Sequence, residues 1–338
     1  MNSGTLYENT GSVPTDYMGS DYIQTVDIDL EGDSTNITPI GLPGATFQGE
    51  YDGNGFTVSN WNYVNPNHPS LSGIADVGFF GRVDNATLKN IKLAGVCTLT
   101  GFQRAAGMVV GTIGSVSTVF NIEADLSPGS FITQGDAETG ITYLGGLVGR
   151  LSSTGVTMAL TLRGELTLTY GANAGTSSVG GVAGYMTNCD VTLIRNLATF
   201  PAGISGFYAG GICGHLNDNS LTKVLNAMTG DISDSGVANT FIGGIAGRHA
   251  HEVTSESSEI INSMKGNITS TESSCRVGGM IGNFGVVSGS TTHTFLNYMT
   301  GDVLNTVRAN KSAGFFALTL TPVDLATSIN AMNGETYH

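Results

Sequence analysis

Two sets of side chains have the types and spacing to hold a metal ion. Asp27, Asp29 and Asp33, in DIDLEGD, place carboxylates at alternating positions that could offer oxygens to Ca²⁺. The order is not that of an EF-hand loop, and strand alternation also accounts for Asp27 and Asp29. His249 and His251, in GRHAHE, set two imidazoles on one face of a strand, a spacing a transition metal could use. No third His lies nearby in sequence, and a solvated loop is the simpler account of that stretch. Asp52-Gly53-Asn54-Gly55 also offers oxygens, but a tight turn with glycines at positive φ explains it fully. Calcium is thus the one cofactor left open, and none is required. Tyr51, Trp61 and Tyr63 could stack on a sugar ring, although the buried aromatics of an N-terminal cap are the simpler account.

Glycosidic chemistry needs two or three carboxylates converging on one surface. Asp231 and Asp302 lie two repeats apart in GDI and GDV, with Asn267 of GNI between them. In stacked β structure, at about 4.8 Å per layer, they would stand about 10 Å apart, the wide end for an inverting pair. Both occupy turn positions, where Asp is favoured anyway. No GxSxG or HExxH pattern and no phosphate-binding glycine loop occurs. Cys97, Cys189, Cys213 and Cys275 are scattered without a CxxC pair, so they read as small buried apolar residues. No catalytic residue is assigned. The chain is expected to be non-enzymatic, and a polysaccharide-degrading lyase or hydrolase is the alternative.

What positions these residues is a repeat. An apolar residue or Gly, then Gly, two apolar or small residues and Gly recur as VGFFG at 77–81, GGLVG at 145–149 and GGVAG at 180–184. The pattern continues as GGICG at 210–214, GGIAG at 243–247 and GGMIG at 278–282. AGMVVG at 106–111, with one extra residue, and AGFFA at 313–317 are degenerate copies. The second residues Gly78, Gly107, Gly146, Gly181, Gly211, Gly244, Gly279 and Gly314 are spaced 29, 39, 35, 30, 33, 35 and 35 apart. The closing glycines are Gly81, Gly149, Gly184, Gly214, Gly247 and Gly282. A second element, VLNAMTGDI in its clearest form, aligns Asn226, Asn262, Asn297 and Asn330, with Met228, Met264, Met299 and Met332 two residues on. Asn90 and Asn121 belong to looser copies, and VTLIRNLATF departs from the Asn register.

The segments are short, β-branched and bounded by Gly, Asn, Asp and Ser, which suits strands rather than the helices of other 33–35-residue repeats. The expected fold is all-β: a parallel β-helix of about eight Gly-motif coils of roughly 35 residues, with residues 1–43 as an N-terminal cap and 44–338 as one continuous domain. Stacked coils would ladder the asparagines through their amides. Two or three glycines per motif, at about 0.5–1 kcal/mol each, sum to about ten kcal/mol over the set. Such a cost implies that Cβ atoms would clash there or that the backbone needs positive φ.

Composition agrees. Glycine supplies 49 of 338 residues and charged residues only 12%, against about a quarter in ordinary domains. The balance of 13 basic and 27 acidic residues, net −14, argues against nucleic acid as a partner. No apolar stretch reaches the 18 or so residues of a membrane helix, so no membrane insertion is expected. The first residues have neither a basic n-region nor an apolar h-region, so they do not read as a signal peptide, and the route to a surface is left open.

Asp27–Leu30, Pro39–Gly41, Phe47–Val58, Gly78–Gly81 and Ala86–Gly95 together resemble the opening of GLUG-motif proteins, the repeat regions of filamentous-haemagglutinin-type bacterial adhesins and surface proteins. The later glycine copies extend the likeness to about Gly314. The resemblance implies a β-helix at a cell surface. From it follows the functional expectation: a surface or virion structural or adhesion protein presenting a long Ser-, Thr- and Asn-rich face to glycan or protein partners. Self-association, or a partner protein, is expected to cover the last coil, whose strand edge would otherwise stand open.

Overall fold

The computed structural model describes residues 18–31, 38–42, 44–64, 76–101, 104–134, 141–152, 159–170, 176–217, 219–250, 257–284, 292–306, 312–313 and 325–330. Every regular element among them is a β-strand, and each strand pairs in parallel with its counterpart one coil later. The result is a parallel β-solenoid. An eight-stranded sheet, the entry sheet, runs from Asp76–Val77 through Ile141–Gly145 to Ser312–Ala313. A seven-stranded exit sheet runs from Phe80–Asp84 through Val148–Ser152 to Ile281–Phe284. A 12-stranded broad sheet carries Thr87–Gly95, Thr118–Leu126, Asp190–Asn196 and their successors as far as Leu325–Asn330. The seven exit strands mark about six full turns, slightly fewer than the eight coils expected, and AGFFA beyond Ala313 lies outside the described residues.

The glycine motif forms the corner between entry and exit sheets. Leu144 and Val148 flank one corner and pair with Val179 and Ala183 in the next coil, so corner length is constant there. A Cβ on Gly146 would be driven into the carbonyl oxygen of Gly181, one on Gly181 into that of Gly211, and one on Gly211 into that of Gly244. None of these glycines has a positive φ. Close approach of successive coils, not left-handed backbone, is what excludes a side chain.

Register also redefines the degenerate copy. Ala106 pairs with Leu144 and Val110 with Val148, so Gly107 holds the place of Gly145 and Met108 that of Gly146. The extra residue exists only relative to the first corner, where Val77 and Phe80 pair with Ala106 and Val110.

The broad sheet contains two distinct asparagine columns. Asn196, expected to be out of register, pairs with Asn226, which pairs in turn with Asn262, Asn297 and, along the backbone, Asn330. The first four are fully buried. Asn226 donates to Asn262 Oδ1 at 3.0 Å and Asn262 to Asn297 Oδ1 at 2.9 Å. Asn196, Asn226 and Asn262 also donate to the corner carbonyls of Gly211, Gly244 and Gly279 in the following coil. Asn90 and Asn121 are not members of this column. They hold φ of 55° and 56°, a conformation Asn tolerates better than most residues. Each inserts one residue into its strand, so that Leu88 and Ile91, or Val119 and Ile122, both point inward. Their own amides link outward, Asn121 to Asn90 at 3.1 Å and Asn90 to Asp52 at 3.0 Å.

Two further four-stranded sheets divide the molecule lengthwise. The earlier coils use Asn62–Val64, Thr98–Thr100, Phe131–Thr133 and Thr167–Thr169, and the later ones Ile204–Gly206, Ile232–Asp234, Ile268–Ser270 and Val303–Asn305. One apolar core fills the bore, including Met228, Met264 and Met299 below the asparagines; Met332 lies outside the described residues.

Candidate functional site

The residue after each closing glycine points outward from the exit sheet. Register stacks these residues as Arg82, Thr112, Arg150, Tyr185, His215, Arg248 and Asn283. Across the corner, the entry sheet stacks Asp76, Ala105, Tyr143, Ser178, Tyr208, Phe241 and Arg276. The closing glycines let the two columns meet. A Cβ on Gly149 would strike the backbone of Ala106 in the preceding entry strand, and Gly184 and Gly214 face Leu144 and Val179 in the same way. The corner is therefore re-entrant, with glycine at its floor and long side chains on both walls.

Those walls interlock. Tyr143 and Tyr185 lie 5.0 Å apart, His215 lies 5.1 Å from both Tyr185 and Tyr208, and Tyr208 stacks on Phe241 at 5.7 Å. The Arg150 guanidinium sits over Tyr143 and Tyr185 at 5.5 and 5.8 Å. Arg248 covers Tyr208 at 5.6 Å and donates to its hydroxyl, and Arg276 covers Phe241 at 5.0 Å. At the first coils the charges cancel: Asp76, fully buried, takes a forked pair of bonds from Arg104, and Arg82 bonds Asp84 at 2.8 Å. Arg150, Arg248 and Arg276 have no carboxylate partner among the described residues. Burial first, then the charge of Arg248 and the proximity of His249, push the His215 imidazole down to about 4, so it is neutral near pH 7. Burial raises the Tyr143 hydroxyl above its usual range.

The expected sites fare differently. Asp27 Oδ1 accepts the Thr57 backbone N–H at 2.7 Å. Asp29 Oδ1 accepts Asn60 Nδ2 and the Glu31 N–H, which hold its carboxyl below the usual range. Asp27 thus ties its coil to the next, Asp29 caps its own turn, and Asp33 lies outside the described residues. His249 is not in a solvated loop: it is buried in strand Ala246–Ala250 beside Leu216, while His251 lies outside the described residues. No group of three His, Cys, Asp or Glu side chains among the described residues could hold a metal. The turn at 52–55 is present, with positive φ at Asn54 and Gly55 and not at Gly53.

The proposed stacking aromatics are core residues. Trp61, Tyr63 and Tyr51 are 0%, 5% and 8% exposed, and they pack on each other and on Phe79 and Phe80 where the early bore needs large side chains. A sugar ring cannot reach them. Asp231 and Asp302 are engaged in a ladder: Asp231 Oδ1 accepts the Asn267 N–H at 2.7 Å, and Asn267 Oδ1 accepts the Asp302 N–H at 3.0 Å. A shallow depression beside the earlier short sheet, lined by Gly129, Ser130, Phe131, Thr133, Glu165 and Thr167, has one carboxylate.

Sequence inspection passed over the corner columns because their residue types differ from coil to coil. The signal was position: each exit-sheet member directly follows a closing glycine.

No family model matches the chain, and no curated protein matches it. A solved structure from Bacteroides ovatus, provisionally described as an immunoglobulin A1 protease, is similar over 92% of this chain and 76% of its own, at 12% identity and a TM-score of 0.42. A likeness at that level carries no argument for activity.

Proposed function

We propose that this chain is a non-enzymatic β-solenoid scaffold that binds extended glycan or protein partners along its outer columns, in a surface or virion setting. The observation that carries this reading is axial repetition. Thr100, Thr133 and Thr169 stack in one outward column, Ser205, Ser233 and Thr269 in another, and the aromatic and arginine side chains in the corner. A polymer lying along the axis meets a hydroxyl of one of these columns in successive coils, about 4.8 Å apart. The carboxylates of Asp27, Asp29 and Asp231 accept structural hydrogen bonds from neighbouring coils. The likeness of the opening residues to GLUG repeats accords with the reading. Incubation with a panel of immobilised polysaccharides tests it: retention on at least one with unchanged chain length is the expected result. Shortened chains would identify an enzyme instead, and no retention on any glycan or surface protein would remove the binding role.

A further inference from the structure

The arginines are unevenly placed for a chain of net charge −14. Among the described residues, Arg82, Arg104, Arg150, Arg248 and Arg276 stand along the re-entrant corner, while Arg163 and Arg195 lie on the broad sheet. Arg163 has a carboxylate partner in Glu123, as the two early corner arginines have theirs. The three later corner arginines have aromatic faces instead. An aromatic face attracts the cation without neutralising it. The Nε atoms of Arg150 and Arg248, Nε2 of His215 and Oδ1 of Asn283 are buried in the same column without a hydrogen-bond partner. Such groups are uncommon in native interiors.

From this geometry we infer that the later half of the corner, from Arg150 to Arg276, is a binding strip for an acidic polysaccharide, one carrying carboxylate or sulfate groups. This rests on the glycan-binding reading above and adds the charge of the ligand. Arg150 and Arg248 are three coils apart, about 14 Å along the axis at about 4.8 Å per coil, and Arg276 stands one coil further on the opposite wall. A linear polymer with a regularly repeated anion meets all three. Guanidinium groups held by aromatic rings keep their planar donor edges set for carboxylate or sulfate oxygens. The neutral imidazole of His215 and the hydroxyls of Tyr185 and Tyr208 between them supply partners for sugar hydroxyls. An acidic peptide offers the charge without those hydroxyls, so the strip favours the sugar.

The test is calorimetric titration of the intact chain with four probes at two salt concentrations: an oligogalacturonate, a heparin-derived oligosaccharide, a neutral dextran oligomer and poly-glutamate. The expected result is binding of at least one acidic oligosaccharide, weakened about tenfold by each of Arg150→Gln, Arg248→Gln and Arg276→Gln. Raising salt should weaken it further, and Arg276→Lys, which keeps the charge but loses the planar donor fork, should retain only part of it. Unchanged thermal unfolding of each variant certifies folding. Equal binding of the neutral oligomer, insensitive to the arginine changes, would overturn this inference and leave the glycan-binding scaffold standing. Binding of poly-glutamate as tight as that of the acidic sugars would overturn the choice of a sugar. No binding of any saccharide would overturn the inference, and the polysaccharide panel then decides the broader reading separately.

Discussion

The earlier and later coils solve one packing problem in two ways. In the broad sheet, Leu93, Ala124 and Leu162 occupy the column that Asn196, Asn226, Asn262 and Asn297 occupy later. Leu162, Asn196, Asn226 and Asn262 each face the second glycine of their own coil's corner. Where Leu162 fills the space, Gly146 is bare; where Ala124 leaves it empty, register puts Met108 at the corner. With Asn, the corner is glycine every time, and the amide reaches the next coil's corner carbonyl. Early coils close the corner by complementary volume and later ones by hydrogen bonds. The lesson is that the recurrent glycine is half of a pair, and its partner decides whether it can be replaced.

Several substitutions test that contrast. The largest effect is expected from Gly211→Ala. Its Cβ would meet both the Asn226 amide and the Gly244 carbonyl, neither of which can retreat within the stack. A loss of about 4 kcal/mol or more in chemical denaturation, or failure to fold, is the expected outcome. Retention of near-normal stability would show that the coils are not held as closely as described. Asn262→Leu should cost about 3 kcal/mol, because it removes the buried hydrogen bonds to Asn226, Asn297 and the Gly279 carbonyl together. Urea midpoints would measure it, and a neutral result would reduce the ladder to mere shape filling.

His215 sits where the corner passes through both halves, packed by Tyr185 and Tyr208 and near Arg248 and His249. In the folded chain it stays neutral down to about pH 4, whereas unfolded it takes a proton near its ordinary value of 6.5. Between those values the unfolded state binds more protons, so stability falls as pH drops from 6.5 towards 4, by about 2–3 kcal/mol. The measurement is the difference between the parent chain and His215→Gln in melting temperature at pH 7 and pH 4.5. Parallel slopes would discount the histidine. A subtler test builds a later-type corner into the early half: Ala124→Asn together with Met108→Gly should be more stable than the sum of the single changes by about 1–2 kcal/mol. Strict additivity would mean the two positions do not face one another. Smallest of all, the four buried thiols should resist alkylation at pH 8 in the folded chain; burial pushes those of Cys97 and Cys275 up to about 11 and that of Cys213 higher still.

The glycine period disclosed the solenoid directly, because close stacking of parallel coils leaves no room for a side chain at the closing position of each described corner. Asparagine was a less reliable marker. Asn196 escaped notice because Ala198 stands where the later copies have Met, and Asn90 and Asn121 looked like members because the residue type was the same. What separates them is location, at the end of a strand or at a left-handed kink within one. The aromatic residues near the start looked available to a ligand, yet Trp61 and its neighbours fill the bore where small side chains would leave a void. The corner strip was hidden for the opposite reason. Tyr, His, Arg and Asn at intervals of about 35 residues share nothing until the register lines them up.

Parallel pairing gives the molecule a definite behaviour under tension. Each coil is bonded only to the coil before and the coil after, so a force applied at the two ends loads the rungs in series. The chain should then yield by peeling one coil at a time instead of rupturing at once. Each event frees roughly 35 residues, about 120 Å of slack at full extension, while the layer it leaves had spanned only about 4.8 Å of the axis. A filament of this construction is a short rod at rest and a long tether under load.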